Sequence, residues 1–127
     1  MFEISVKEVP LSGIKSPEQL AAFVLQSLGL SDLDDERDVD MLLALVRNKG
    51  GLKAAELADA TGLGQTATYS RINQMLDAGL IYKAKGAVYR LRERTLKDTL
   101  DFRVRRDLEQ VFDSIVEVSG ELDSKVG

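Results

Sequence analysis

Cysteine and histidine are both absent from this sequence. Without cysteine there is no disulfide and no thiolate redox centre, and without histidine no imidazole acid–base or ligand chemistry. A zinc or copper site would rest on carboxylates alone, a donor set those metals seldom accept. No metal and no cofactor is therefore expected. Long hydrophobic runs are missing too: "MLLALV" (41–46) is the longest, far too short to cross a bilayer. The start, "MFEISVKEVP", lacks a basic leader followed by an apolar stretch, so the chain is expected to stay in the cytoplasm, away from membranes. No nucleophile–base pair, phosphate loop or metal cluster stands out, and an enzyme is not expected.

What is present is charge, unevenly placed. The 127 residues hold 21 acidic and 17 basic side chains, with a pI near 4.9. Residues 1–46 carry three bases against nine acids, a net of −6. Residues 79–106 carry nine bases against three acids, a net of +6, and 107–127 return to −5. A basic middle between acidic ends is a block pattern that calls for a cause. The length suits one domain with an extended arm or helix, and the 44% hydrophobic content a modest core. Oligomerisation is a natural way for such a chain to bury more surface.

Along the chain, "MFEISVKEV" alternates Phe2, Ile4 and Val6 with polar neighbours, as in a half-buried strand. "SPEQLAAFVLQSLG" is a punctuated helix: Ser16 caps, Pro17 suits the first turn, Gln19 completes a capping box and Gly29 ends it. Leu20, Val24 and Leu28 give its apolar face, widened by Phe23 and Leu25. "LSDLDDERDVDMLLALVRNKGG" is a second helix, acidic at its start and basic at its end, with Val39, Leu42, Leu43 and Val46 facing a core. Its acids 32–38 lack the spaced ligands and glycine of a calcium loop and are expected to be solvated.

"LKAAELADATG" and "LGQTATYSRINQMLDAG" are two further helices separated by Gly62-Leu63-Gly64, the spacing of a helix-turn-helix. "LIYKAKGAVYRL" follows as two alternating runs around Gly86, a β-hairpin. The order matches a winged helix, in which the second helix of the pair enters the major groove and the hairpin lies along the backbone. On the helical wheel Thr68, Ile72 and Met75 share the core face. Thr66, Ser70, Asn73, Gln74 and Asp77 lie opposite, with Gln65 near the N-terminus and Tyr69 and Arg71 on the flanks. Asn and Gln pair bidentately with adenine, and Arg71 has the reach for guanine or a phosphate; any surface helix, however, is polar on this side. The hairpin tips the balance toward DNA. It carries only bases, Lys83 and Lys85 expected on one face of the first strand and Arg90 and Arg92 on one face of the second, interleaved with Tyr82 and Tyr89.

Residues 93–127 contain no proline and read as one long helix. Val104, Leu108, Val111, Ile115, Val118 and Leu122 are spaced 4, 3, 4, 3, 4, a coiled-coil seam that predicts a homodimer. Phe102, Phe112 and Val116 lie outside it and are expected to pack partly on the chain's own domain. The organisation expected is a strand or arm over 1–15, a winged helix-turn-helix over 16–92 and a dimerisation helix over 93–127. The fold class is mainly α with a small β-hairpin wing.

"LKAAELADATGLGQTATYSRINQMLDAGLI" resembles the core of archaeal and bacterial winged-helix regulators of the TrmB, MarR and ArsR kind, and "LGLSDLDDERDVDMLLAL" is similar to the opening of TrmB-like domains. The resemblance implies Gln65, Thr66, Tyr69, Ser70 and Asn73 at groove-facing positions and Lys83, Lys85 and Arg90 in the wing. It departs at Gly64 and Ala67, where those families carry Ser or Thr, and at Thr68, where they carry a β-branched aliphatic; the helix is expected to be less well capped. ArsR-type metal sensing needs Cys or His and is not carried over. No effector domain follows in this sequence, so any small-molecule control is expected in the dimer's own cavities; the effector is unassigned. The leading expectation is a dimeric, sequence-specific regulator of double-stranded DNA. The alternatives are a winged helix used for protein assembly and a nucleic-acid-binding subunit without sequence preference.

Overall fold

The structure, a computed structural model, describes residues 16–30 and 35–127. The alternating segment 2–9 and the first acids of the run at 32–38 lie outside the described residues. Helix α1 (Pro17–Ser27) opens on the expected capping box: Ser16 Oγ accepts from the Gln19 N–H, and the Ser16 N–H donates to Gln19 Oε1, both at 3.1 Å. The helix is rolled relative to the periodicity-based face. Ala21, Leu25 and Leu28, at i, i+4 and i+7, are buried, whereas Leu20 is 50% exposed. Helix α2 (Glu36–Arg47) starts at an Asp35 cap. Its buried stripe is Asp38, Met41, Leu42 and Leu45 with Val39; Leu43 and Val46 only flank the core.

A short strand, β1 (Leu52–Lys53), precedes α3 (Ala54–Thr61), where the sequence alone suggests helix from Leu52. Its entry depends on Gly51, whose φ is +92°. A Cβ there would overlap the Val88 side chain and come within 2.9 Å of the Tyr89 carbonyl oxygen. After α3 come the helix α4 (Gln65–Asp77) and strands β2 (Ile81–Ala84) and β3 (Val88–Leu91). Among the described residues the sheet is therefore three-stranded and antiparallel, in the order β1-β3-β2, and not a hairpin alone. Leu52 pairs with Tyr89 and Lys53 with Val88, while Ile81, Tyr82, Lys83 and Ala84 pair with Leu91, Arg90, Tyr89 and Val88.

The last helical run is not regular. It begins at α5 (Leu96–Asp98), capped by Thr95 Oγ1 accepting from the Asp98 N–H at 3.0 Å, and not at residue 93. It widens to a π-helical segment over Thr99–Val104 and continues as α6 (Arg105–Val126). Thr99 is fully buried; its hydroxyl donates to the Thr95 carbonyl at 2.8 Å and accepts from the Glu93 N–H at 3.0 Å. Leu25, Met41, Leu42, Leu45, Leu57, Ile72, Leu80 and Val104 are the largest apolar side chains fully enclosed, so one core joins α1 to α4, the sheet and the π-helical segment. Burying each such side chain contributes about 1.5–3 kcal/mol. Val104 thus belongs to the domain core and not to an intermolecular seam, and Leu108 packs against the same core. From Glu109 onward every residue of α6 is exposed. Phe102, Phe112 and Val116, expected to pack inward, are 58%, 64% and 56% exposed. No helix among the described residues is long and apolar enough to cross a membrane.

Candidate nucleic-acid interface

Helix α4 is held by one face. Thr68, Ile72 and Met75 are 1%, 0% and 3% exposed, as the wheel requires. Burying the Thr68 hydroxyl is offset by its donation to the Gly64 carbonyl at 2.9 Å. Gly64 is the N-cap and has no side chain to cap with, so no side-chain oxygen competes for the first-turn N–H groups. Two left-handed glycines frame the motif: Gly62 at φ +72° ends α3, and Gly79 at φ +78° follows α4. Gln65, Thr66, Tyr69, Ser70, Asn73, Gln74 and Asp77 all face solvent. Beside them, between α3 and α4, lies an open depression of about 320 Å³ lined by Ala55 and Ala58 and bordered by Gln65 and Tyr69. The surface offered is amides, hydroxyls and one half-exposed ring beside an apolar floor, with the carboxylates of Asp59 and Asp77 at its border. A helix carrying these groups can form hydrogen bonds to base edges and meet a thymine methyl.

Arg71 is placed differently from the expectation that it reaches DNA. Its Nη2 lies 3.1 Å from Asp35 Oδ2 and its Nε 2.7 Å from Asp38 Oδ1. The two carboxylates come from the acid run expected to be solvated, yet Asp38 is only 7% exposed. Burial pushes the Asp38 carboxyl up to about 6, helped by its hydrogen bond with Asp35 and opposed by the Arg71 charge. Asp35 is also raised by burial, but hydrogen bonds with Asp38 and Arg71 and the charge of Arg71 outweigh this and hold it below its ordinary value. The sole cation of α4 is thus engaged within the protein. Its partners stand 36 and 33 positions away in sequence, and no local pattern announces such a pairing.

In the wing, each strand's base lies over the other strand's tyrosine. Lys83 Nζ is 5.9 Å from the Tyr89 ring centre, and the Arg90 guanidinium carbon is 6.0 Å from that of Tyr82. The alternation of bases with aromatics in the sequence becomes two cross-strand cation–π pairs because Lys83 is in register with Tyr89 and Tyr82 with Arg90. The pairs occupy opposite faces. Ile81, Tyr89 and Leu91 point to the core, with Lys83 beyond its edge; Tyr82 and Arg90 share the solvent face. Lys53 on β1, opposite Val88, joins that solvent face, an exposed base that helix-only reading of "LKAAELADATG" misses. Lys85 is not on the strand with Lys83 but in the connecting turn, beside Gly86 at φ +88° and Ala87 at φ +59°.

Arg92, the remaining basic residue expected on the backbone, is likewise engaged. Its Nη1 donates to the Gly79 carbonyl at 3.2 Å and to Asp107 Oδ2 at 2.7 Å. From β1 to the Thr95 cap of the last helix, the exposed cations are Lys53, Lys83, Lys85 and Arg94, with Arg90 half-buried against its tyrosine.

Compared with known proteins, the chain matches the family model described as "Sugar-specific transcriptional regulator TrmB" over residues 25–95. That span runs from α1 through the helix-turn-helix and the whole wing to the cap of the last helix. No curated protein and no solved structure matches it. A mainly helical domain with a helix-turn-helix, a three-stranded wing and a long terminal helix, matched by that model over more than half of its length, belongs to the TrmB family of winged-helix transcriptional regulators.

Proposed function

We propose that the chain acts as a homodimer that recognises a specific double-stranded DNA sequence, with α4 reading bases and the wing holding the backbone. The observation that carries this is the division of side chains between the two elements. The solvent face of α4 is uncharged apart from Asp77, while the wing presents Lys83, Lys85 and Arg90 with no acid between them. Neutral hydrogen-bonding groups discriminate bases, and mobile cations neutralise phosphates without regard to sequence. Gln65, Thr66, Tyr69, Ser70 and Asn73 are assigned to base contact, and Lys83, Lys85 and Arg90, with Lys53 beside them, to phosphate. Arg71 and Arg92 are left out, because their guanidinium groups are tied to carboxylates of the protein.

Dimerisation is assigned to α6. Val111, Ile115, Val118 and Leu122 are 44% to 64% exposed on one stripe, and Phe112 and Val126 widen it. An apolar stripe of this length on an otherwise polar helix needs a cover, and none of the described residues of the same chain supplies one. A second copy supplies an identical stripe and gives two reading helices related by a two-fold axis.

The test is a pair of variants against one selected site. Replacing Lys83 and Lys85 together by Ala weakens all duplexes alike and flattens the salt dependence by about one unit per lost contact. Asn73→Ala relaxes preference at a single position, by about 1–3 kcal/mol. A lysine pair whose loss leaves affinity and salt dependence unchanged favours the assembly-module reading instead.

A further inference from the structure

The joint between the wing and α6 is built more elaborately than folding requires. Arg92, just past β3, reaches Gly79 at the end of α4 and Asp107 in the first turn of α6, so one guanidinium ties three elements. The next residue makes the reverse pair: Glu93 Oε1 accepts from Arg103 Nε at 2.7 Å, and the Glu93 N–H is held by buried Thr99. Arg103 and Asp107 are four residues apart, on either side of the end of the π-helical segment. Neighbouring residues of opposite charge therefore grip successive turns of the helix with opposite charge, and rolling or tilting the helix breaks at least one grip. The pairs are partly exposed, at 27% and 26% for Arg92–Asp107 and 47% and 31% for Arg103–Glu93, where ion pairs add little to stability. Anchorage to the core is already supplied by Val104. The segment they flank is π-helical, a form found where helices are adapted to a function.

We infer that Arg92 and Asp107, seconded by Glu93 and Arg103, are positioning residues that set the direction in which α6 leaves the reading domain, and so fix the spacing of the two DNA half-sites. This rests on the dimeric reading above. Leverage supports it. The exposed part of α6, from Glu109 on, is about 27 Å long at helical rise. A tilt of about 10° at the joint then displaces its far end by roughly 5 Å, more than one base-pair step of about 3.4 Å. A joint loose by that amount accepts several spacings; a clamped one accepts one.

The experiment uses the full chain and the variant carrying Asp107→Asn, which is isosteric, and Arg103→Gln, which is shorter but polar; each removes the charge. Each is used to select duplexes from a random pool, and the separation of the recovered half-sites is read. Each is then measured on the wild type's preferred site, on that site with two base pairs inserted, and on a single half-site. The wild type is expected to favour its own spacing by on the order of tenfold. The variant is expected to keep dimer mass in sedimentation and wild-type affinity for the single half-site, while its spacing preference falls to within about threefold. Asp107→Glu, which keeps the charge, is expected to retain the preference. A double variant that is dimeric and keeps the full spacing preference overturns the proposal. A wild-type chain that sediments as a monomer overturns the dimeric reading itself, and the positioning role with it.

Discussion

Arg71 Nε lies 2.7 Å from Asp38 Oδ1, and this pair joins the middle of α4 to the first turn of α2. With Asp35 completing the set, one guanidinium faces two carboxylates, and the lone cation of α4 becomes a strut. On the function proposed above, α4 would meet DNA without a positive charge of its own. Affinity would then come from the wing, and discrimination from amides and hydroxyls.

The same cluster makes a prediction about pH. Asp38 is raised in the folded protein to about 6 from an ordinary 3.8, so folding favours its protonated form. Its favourable contribution is full below about 3.8 and is lost as pH rises through about 6. Asp35 is shifted down, so its contribution is present above 3.8 and is lost on acidification. Asp38→Asn keeps a neutral hydrogen-bonding side chain at every pH. It is expected to match the wild type near pH 4 and to exceed it by about 2 kcal/mol at pH 8. Denaturant unfolding at a series of pH values checks this; a difference that is constant with pH, or that reverses sign, contradicts it.

Gly51→Ala is expected to be severely destabilising although Gly51 contributes no side-chain contact. The residue is held at φ +92°, and the added methyl meets Val88 and the Tyr89 carbonyl on β3. Left-handed strain alone costs an L-residue about 1–2 kcal/mol, and the overlap adds to it. The total, above about 2 kcal/mol, lowers the melting temperature by roughly 8 °C or more. A melting curve within a degree or two of the wild type contradicts the assigned strand entry.

Tyr82 is expected to matter for DNA binding through Arg90. The ring lies under the guanidinium, whose Nε is buried and has no hydrogen-bond partner among the described residues. Tyr82→Leu removes a cation–π contact of about 0.5–1 kcal/mol and releases the side chain, so affinity is expected to fall by about two- to fivefold. Tyr82→Phe keeps the ring face and is expected to bind as the wild type does. Equal binding by the leucine variant contradicts the role.

These expectations divide by how far each feature reaches along the chain. The core face of α4 was readable because Thr68, Ile72 and Met75 recur at the period of one helix, and the reading-helix boundaries because glycines at 62, 64 and 79 mark them. Strand β1 was not readable, since two residues cannot show an alternation. The 4–3 spacing of the last helix identified an apolar stripe but was silent on what covers each part of it. Val104 is claimed by the chain's own core, because the π-helical segment brings it against the domain, while Ile115 is left in the open. The Arg71–Asp38 and Arg92–Asp107 pairs depend on tertiary approach, which residue type alone does not encode.

Ile115→Asp separates an intermolecular stripe from an internal one. Ile115 is 55% exposed in a single chain, so a carboxylate there leaves the domain core intact. Placed opposite its own copy in a dimer seam, the same carboxylate is desolvated and repelled. The variant is expected to keep its helical circular dichroism and melting behaviour at low concentration while sedimenting at half the wild-type mass. An unchanged mass contradicts the assignment of α6.

The most direct test of the account is retention of a mixed pool of genomic duplexes by the purified wild-type chain at about 50 and about 200 mM salt. A near-palindromic site is expected to be enriched. With about eight phosphate contacts per dimer, from Lys53, Lys83, Lys85 and Arg90 on each protomer, affinity should fall on the order of ten-thousandfold between the two conditions. Failure to retain any duplex at the lower salt would contradict it and leave the winged helix as a surface for protein assembly.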